Sequence, residues 1–245
     1  MGLKFCHMYL LNAALVVSLA FCFQAATGQG VEIIRQGVFQ APAKPNTFVY
    51  IEPSPDTINF QYVATLKASG DQKTGLDLFY LLLKDKARHL HANAFAFRSY
   101  RQGDSTQPTV LFVDCYYGTD SVLSVNASQG EKNVVYVFGT LNTADKANSF
   151  KVNNEKKEIG GGTFFKATLE KGKELKLSKG GFSGSTFRIN WAEQKPALFL
   201  SLSGLGLADA PVQSGGVNIG FAFARITYMD EGLGHLLSMI LQKGE

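Results

Sequence analysis

The sequence predicts an α+β protein, a small αβ unit followed by an antiparallel β-sandwich, and three observations carry that reading. Residues 74–90 hold apolar side chains at helical spacing. Two β-like runs, 95–100 and 109–117, follow directly and flank a polar turn. From residue 126 onward, short runs of β-formers recur at intervals of roughly ten residues between asparagine and glycine turns, the rhythm of a sandwich.

The chain opens with Lys4, an apolar stretch over 8–23 interrupted by Asn12 and Ser18, and then Ala26-Thr27-Gly28, whose small residues suit cleavage by a signal peptidase. The stretch is short for a membrane span, so residues 1–28 are expected to be a signal peptide whose removal leaves Gln29 leading an exported protein. Residues 29–56 carry four of the seven prolines, Pro42, Pro45, Pro53 and Pro55. Proline lacks a ladder donor and favours extended or turn conformations, so this segment reads as an extended lead-in.

Residues 57–125 form the αβ unit. Over 58–68, Ile58, Phe60 and Tyr62 alternate with Asn59 and Gln61, the period of a half-buried strand. The helix over 74–90 starts with a capping-box-like pair, Thr74 and Asp77. Leu76, Phe79, Tyr80, Leu83, Ala87 and Leu90 line one face, with Leu83 at its centre, while Lys84, Asp85, Lys86 and Arg88 take the wetter side. Ala92-Asn93-Ala94 closes it, and the two strands that follow meet across the polar turn at 102–108.

Residues 126–245 form the sandwich. Strands are expected at 133–138, 149–152 and 163–169, with Asn153-Asn154 and Gly160-Gly161-Gly162 as turns between them. A strand ending near Trp191 and an apolar run over 197–204 follow, then another strand at 217–228 with Gly220 inside it. Leu233, Leu236, Leu237, Ile240 and Leu241 stand at helical spacing behind Asp230 and predict a short closing helix. Gly232 and Gly234 count against it by about 1 kcal/mol each, which leaves a final strand as the alternative.

Composition fits a folded chain with ample material for a core, at 45% hydrophobic and 18% charged residues. The net charge of +4 is interspersed, and the densest basic stretch, 151–179, also carries Glu155, Glu158, Glu170 and Glu174. That pattern reads as a solvated surface, so no nucleic-acid partner is expected. Cys6 and Cys22 lie inside the expected signal, which leaves Cys115 alone and unable to form an internal disulfide. Its neighbours make it a small buried hydrophobe. Leu19-Ala20-Phe21-Cys22 has the outline of a lipobox, but Phe21 stands where a small residue is required, so an outer-membrane lipoprotein is the weaker alternative.

Two resemblances follow from these motifs. The strand, helix and hairpin over about 58–118, with the helix ending in His91-Ala92-Asn93-Ala94, resembles the small αβ domains of bacterial envelope and YbjQ-like proteins, whose turn reads Gly-Ala-Asn-Ala. Here His91 occupies the glycine position. The stretch over about 133–204, with its VVYVF strand and its turns at Asn153-Asn154 and Glu170-Lys171-Gly172, is similar to a bacterial envelope β-sandwich domain. Both resemblances imply an envelope protein without chemistry to carry over.

No residue is assigned a catalytic, cofactor-binding or metal role. His89 and His91 are the only close histidine pair, but two residues apart on a helix they point about 200° apart, and a helix C-terminus explains His89 and Arg88 electrostatically. The glycine clusters 160–162 and 180–181 lack the spacing of a phosphate loop. Ser183, Ser185, Ser201 and Ser203 lack a nucleophile elbow, and His235 has no acidic partner that sequence can place. Asp114, Asp120, Asp209 and Asp230 are scattered. Trp191 with Phe182, Phe187, Phe199, Phe221 and Phe223 would make a glycan platform if exposed, yet at strand spacing such residues line a core. Asn126-Ala127-Ser128 is a glycosylation sequon by letter.

The expectation is therefore an exported bacterial envelope protein, periplasmic or secreted, acting as a non-catalytic binding or structural module. Its expected partners are another envelope protein or a cell-surface glycan, with no cofactor and no transmembrane segment after processing. The alternative is a secreted hydrolase with a site dispersed over loops; a histidine with an acid partner in a concave pocket would favour it. Mass spectrometry of the protein from its host checks the processing step: a chain starting near Gln29 is expected, and an intact Met1 or an acylated Cys22 would contradict it.

Overall fold

The computed structural model of the chain describes residues 30–38, 45–52, 59–140, 146–180, 184–202 and 226–244. The expected signal peptide, parts of the lead-in and most of the strand expected at 217–228 lie outside these. Among the described residues, three helices and fourteen strands form three mostly antiparallel sheets, an α+β fold with a sheet-rich second half. None of these helices is long and apolar enough to cross a membrane.

The first sheet contains β1 (Gly30–Gln36), β2 (Val49–Tyr50), β3 (Gln61–Gly70), β4 (Ala94–Arg101) and β5 (Thr109–Tyr117), in the order β1-β3-β5-β4-β2. The start of the lead-in is thus an edge strand, because β1 pairs antiparallel with β3. Register explains which residues turn inward. Ala64, Cys115 and Phe95 stand opposite one another, as do Leu66, Val113 and Phe97, and these rows face helix α1 (Leu76–His89). Rows on the other face pair Thr65 with Asp114, Lys67 with Glu32 across β1, and Tyr62 with Tyr116.

Helix α1 buries Leu76, Phe79, Tyr80, Leu83 and Ala87, the face that its sequence period predicts. Its start differs from expectation. Gly75 is the N-cap residue and makes no side-chain capping bond, while the Thr74 hydroxyl donates to the Asp71 carboxylate at 2.8 Å. Asp71 also accepts from the Lys73 N–H at 2.9 Å, so a local aspartate turn holds Thr74 where a capping box was expected. The other end keeps left-handed geometry without glycine, since His91 has φ of 65°. The Ala92 N–H donates to the Ala87 carbonyl at 2.9 Å and the His91 N–H to that of Arg88 at 3.1 Å, a Schellman closure. Two satisfied carbonyls and the burial of Ala87 and Ala92 offset the cost of about 1 kcal/mol for a non-glycine residue there.

Helix α2 (Asp120–Gln129) has no counterpart in the sequence reading: it has no continuous apolar stripe, and its single buried residue is the polar Asn126. It runs through the 125/126 position, where the composition turns toward β.

The second half contains β6 (Val134–Phe138), β7 (Asn148–Val152), β8 (Glu155–Ile159), β9 (Thr163–Thr168), β10 (Glu174–Lys179), β11 (Ser185–Asn190), β12 (Leu198–Ser201), β13 (Thr227–Tyr228) and β14 (Gln242–Lys243). One sheet runs β11-β10-β7-β8 and the other β13-β12-β6-β9-β14. Asn153 and Asn154, with φ of 50° and 74°, make the tight β7–β8 turn in the two-residue form that requires positive φ at both positions. Val135, Val137 and Leu200 of one sheet form a cluster with Phe150, Leu177 and Ile189 of the other. The opposite face of β6, with Tyr136 and Phe138, joins the core beneath the first sheet. A strand covered on both faces reads as an unbroken apolar run, which is what VVYVF is.

Helix α3 (Glu231–Ile240) lies where these surfaces meet, and Leu233, Leu236 and Leu237 belong to the shared core. Its two glycines are explained by close approach. A Cβ on Gly232 would collide with the Tyr80 hydroxyl, and one on Gly234 with the Phe199 ring. Gly234→Ala should therefore lose about 1–3 kcal/mol by overpacking despite alanine's better helix propensity. Leu83→Ala, at a fully buried position, should lose about 2–5 kcal/mol. Chemical denaturation of both variants checks these values, and a stabilised Gly234→Ala would contradict the packing of α3.

Candidate functional site

Two asparagines fix the backbone around the candidate site. The Asn93 side chain donates to the Gly118 carbonyl at 2.7 Å and accepts from its N–H at 2.8 Å, which anchors the turn entering α2. The Asn126 side chain donates to the Tyr50 carbonyl at 2.8 Å and accepts from the Glu52 N–H at 2.9 Å. The segment carrying Tyr50 and Glu52 is thereby held between α2 and α3, and a depression lies on either side of α2.

The first depression is a recess of ≈ 90 Å³ walled by Tyr50, Glu52, Gly130, Glu131, Lys132, Glu231 and His235, among others. At about 30 Å³ per water it admits roughly three waters. The His235 ring stacks on Tyr50 at 5.0 Å and 12° and contacts Phe199 at 4.7 Å. Its Nε2 lies 3.6 Å from Glu52 and 3.9 Å from Glu231. Burial pushes the Glu52 carboxyl above its usual range; His235 opposes this, while Glu131 and Glu231 reinforce it. Glu131 behaves in the opposite way. Burial disfavours its charge, but hydrogen bonds from Lys166 at 2.7 Å and Tyr136 at 2.5 Å outweigh that and hold it below the usual range. The recess thus sets a carboxyl whose burial favours its protonated form beside an imidazole, and no serine, threonine or cysteine is among the described residues lining it.

The second depression is a cavity of ≈ 210 Å³ lined by Asn59, Phe60, Ser121, Val122, Val125, Asn126 and Gln129. Its described lining carries no charged side chain. The Ser121 hydroxyl is 3.0 Å from that of Thr119, which is no base. Beyond Phe60 a row of half-buried rings crosses the outer face of the first sheet: Phe60 meets Tyr116 at 6.4 Å, Tyr116 meets Tyr62 at 5.8 Å, and the Arg35 guanidinium sits 4.9 Å from the Tyr62 centroid.

Residues singled out in the sequence fall elsewhere. His89 is exposed in the last turn of α1 and contacts the Asp85 carbonyl at 2.8 Å. His91 occupies the left-handed closing position, and Cys115 faces α1, where burial raises its thiol pKa. The three do not share a site, and among the described residues no group of three or more His, Cys, Asp or Glu side chains is placed to hold a metal ion. Trp191 packs at the rim of the sandwich core beneath Lys171, and Phe199 is buried against α3. The sequon residue Asn126 is 7% exposed with both ends of its amide engaged, so it is a structural clamp in this fold. Phe182, Phe221, Phe223, Ser183, Ser203 and Asp209 lie outside the described residues.

Glu52 was absent from the sequence reading and His235 stood there without a partner. The one available signal was that His235 sits on the helix predicted behind Asp230, at a position flanking its apolar stripe. Comparison of the chain with protein-family models, with curated proteins and with solved structures finds no match.

The electrostatics yield a signed prediction. A carboxyl whose folded pKa is raised adds stability only below its unfolded value, about 4.3, and loses it as pH rises through the folded value. Glu52→Gln should therefore be neutral or stabilising by up to about 1 kcal/mol at pH 7, with the gain vanishing below about pH 4. Denaturant titrations at both pH values decide this; a clear loss at neutral pH would show that the Glu52–His235 pair outweighs burial.

Proposed function

We propose that the chain is an exported envelope protein acting as a non-catalytic binding module, with the α2 side of the molecule as its contact surface. The observation that carries this reading is the larger cavity beside α2, whose described lining mixes Phe60, Val122 and Val125 with Asn59, Ser121, Asn126 and Gln129 and carries no charged side chain. Such a site suits holding a ligand more than reacting with it, because Ser121 has no base to activate it. Export is supported by the order Lys4, apolar 8–23 and small 26–28.

One observation favours a second reading. Glu52 beside His235 is an acid–base pair in a concave recess, the arrangement that a water-activating hydrolase needs. The two readings separate on the fate of the ligand. Material from the envelope that binds saturably should be recovered with unchanged mass after long incubation, equally with the wild-type protein and with Glu52→Gln. Cleavage by the wild type that Glu52→Gln abolishes would replace the binding module with the hydrolase.

A further inference from the structure

We propose that Glu52 and His235 form a proton-operated latch: when the imidazole takes up a proton it fastens the lead-in segment to α3 and, through the Asn126 clamp, steadies α2, which borders both depressions. The placement of the ring carries this. The His235 side chain is 15% exposed, with its ring stacked on Tyr50 of β2 and against Phe199 of β12. Its Nε2 lies 3.6 Å from the Glu52 carboxylate, itself 18% exposed, which is longer than a hydrogen bond. A protonated imidazole donates from both nitrogens and draws a carboxylate to about 2.7–2.9 Å. Charging the ring therefore turns this near approach into a charge-assisted bond between two elements far apart in the chain.

The other described ionisable groups around the ring leave Glu52 as its partner. Glu231 lies one turn earlier on α3 at 3.9 Å, but it is 68% exposed, so water screens that attraction. Glu131, from the connection between α2 and β6, is engaged by Lys166 and Tyr136, and Lys132 from the same connection donates to the Ala127 carbonyl at 2.6 Å. Tyr50 stays protonated, because burial raises its pKa. From β12 and the residues before it come Phe199, Pro196 and Ala197, which carry no charge. Transmission to α2 runs through the backbone of Glu52, whose N–H donates to the Asn126 side chain while the other end of that amide donates to the Tyr50 carbonyl. Asn126 lines the recess and the larger cavity alike, so a proton bound in the recess reaches the wall of the cavity. The latch has two limits in pH. It needs imidazolium and carboxylate together, so it engages as pH falls through the imidazole's titration and releases when Glu52 is protonated in turn; burial places that release above the usual carboxylate range.

The test is an NMR titration of the full chain between about pH 8 and pH 4, following the His235 ring signals, the Asn126 side-chain amide and native-state exchange of the Glu52 amide, with rates corrected for the intrinsic effect of pH. The Asn126 amide should shift with the same midpoint as the ring. Corrected exchange at Glu52 should slow about tenfold across that midpoint and recover at the acid end. Glu52→Gln removes the carboxylate and should abolish the slowing, whereas Glu231→Gln should keep it. Four results would each overturn the latch: a wild-type exchange rate that ignores the ring's titration, an Asn126 amide that does not follow the ring, slowing that survives in Glu52→Gln, or slowing lost in Glu231→Gln. These readouts involve no ligand, so the latch stands or falls separately from the binding-module reading.

Discussion

Asp230 joins the two halves of this molecule. Its carboxylate accepts from the Tyr80 hydroxyl at 2.5 Å and from Lys84 at 2.7 Å, both on α1, and caps α3 by accepting from the Leu233 N–H at 3.1 Å. Burial works against its charge, but the hydrogen bonds from Lys84 and Tyr80 outweigh burial and hold its pKa below the usual range. The same contact, after burial itself, pushes the Tyr80 hydroxyl far up. An ionised carboxylate with this many donors is worth keeping ionised, so the first turn of α3 is fixed to α1 wherever the pH leaves Asp230 charged.

The consequence of that anchor is steric. With α3 held at its start, Gly232 lies under Tyr80 and Gly234 against Phe199, and the helix sits closer to both halves than a residue with a Cβ would permit. Leu233, Leu236 and Leu237 then complete one core that draws on α1, the first sheet and the Tyr136 face of β6. His235, on the same helix, is delivered between Tyr50 and Phe199 and meets Glu52 from the far end of the chain. The recess thus follows from the packing of α3, and the cavity on the other side of α2 follows from the Asn126 clamp.

What could be read from the sequence was local. Helix α1, the β4–β5 hairpin, the Asn153-Asn154 turn and the apolar β6 announce themselves because their periods and turn residues are set by neighbours in the chain. The first turn of α1 misled because Asp71 competes for Thr74, an alternative the capping pattern does not display. Helix α2 was invisible because what it buries is Asn126, whose partners Tyr50 and Glu52 come from the lead-in. The glycines of α3 looked like a reason to doubt a helix, and only the positions of Tyr80 and Phe199 turn them into a requirement. The Glu52–His235 pair was out of reach for the same reason: nothing in either local stretch specifies the other.

The claim that α3 welds the halves is tested most directly by native-state hydrogen exchange of β3 and β5 amides against those of β6 and β10, in the wild type and in Asp230→Asn. If Asp230 and α3 couple one core, both groups exchange with a common opening free energy in the wild type, and both lose protection together in the variant at neutral pH. The loss shrinks as pH falls through the depressed carboxyl pKa, where the wild type also gives up the charge. First-sheet amides that keep wild-type protection in the variant while the sandwich amides lose theirs would contradict this account.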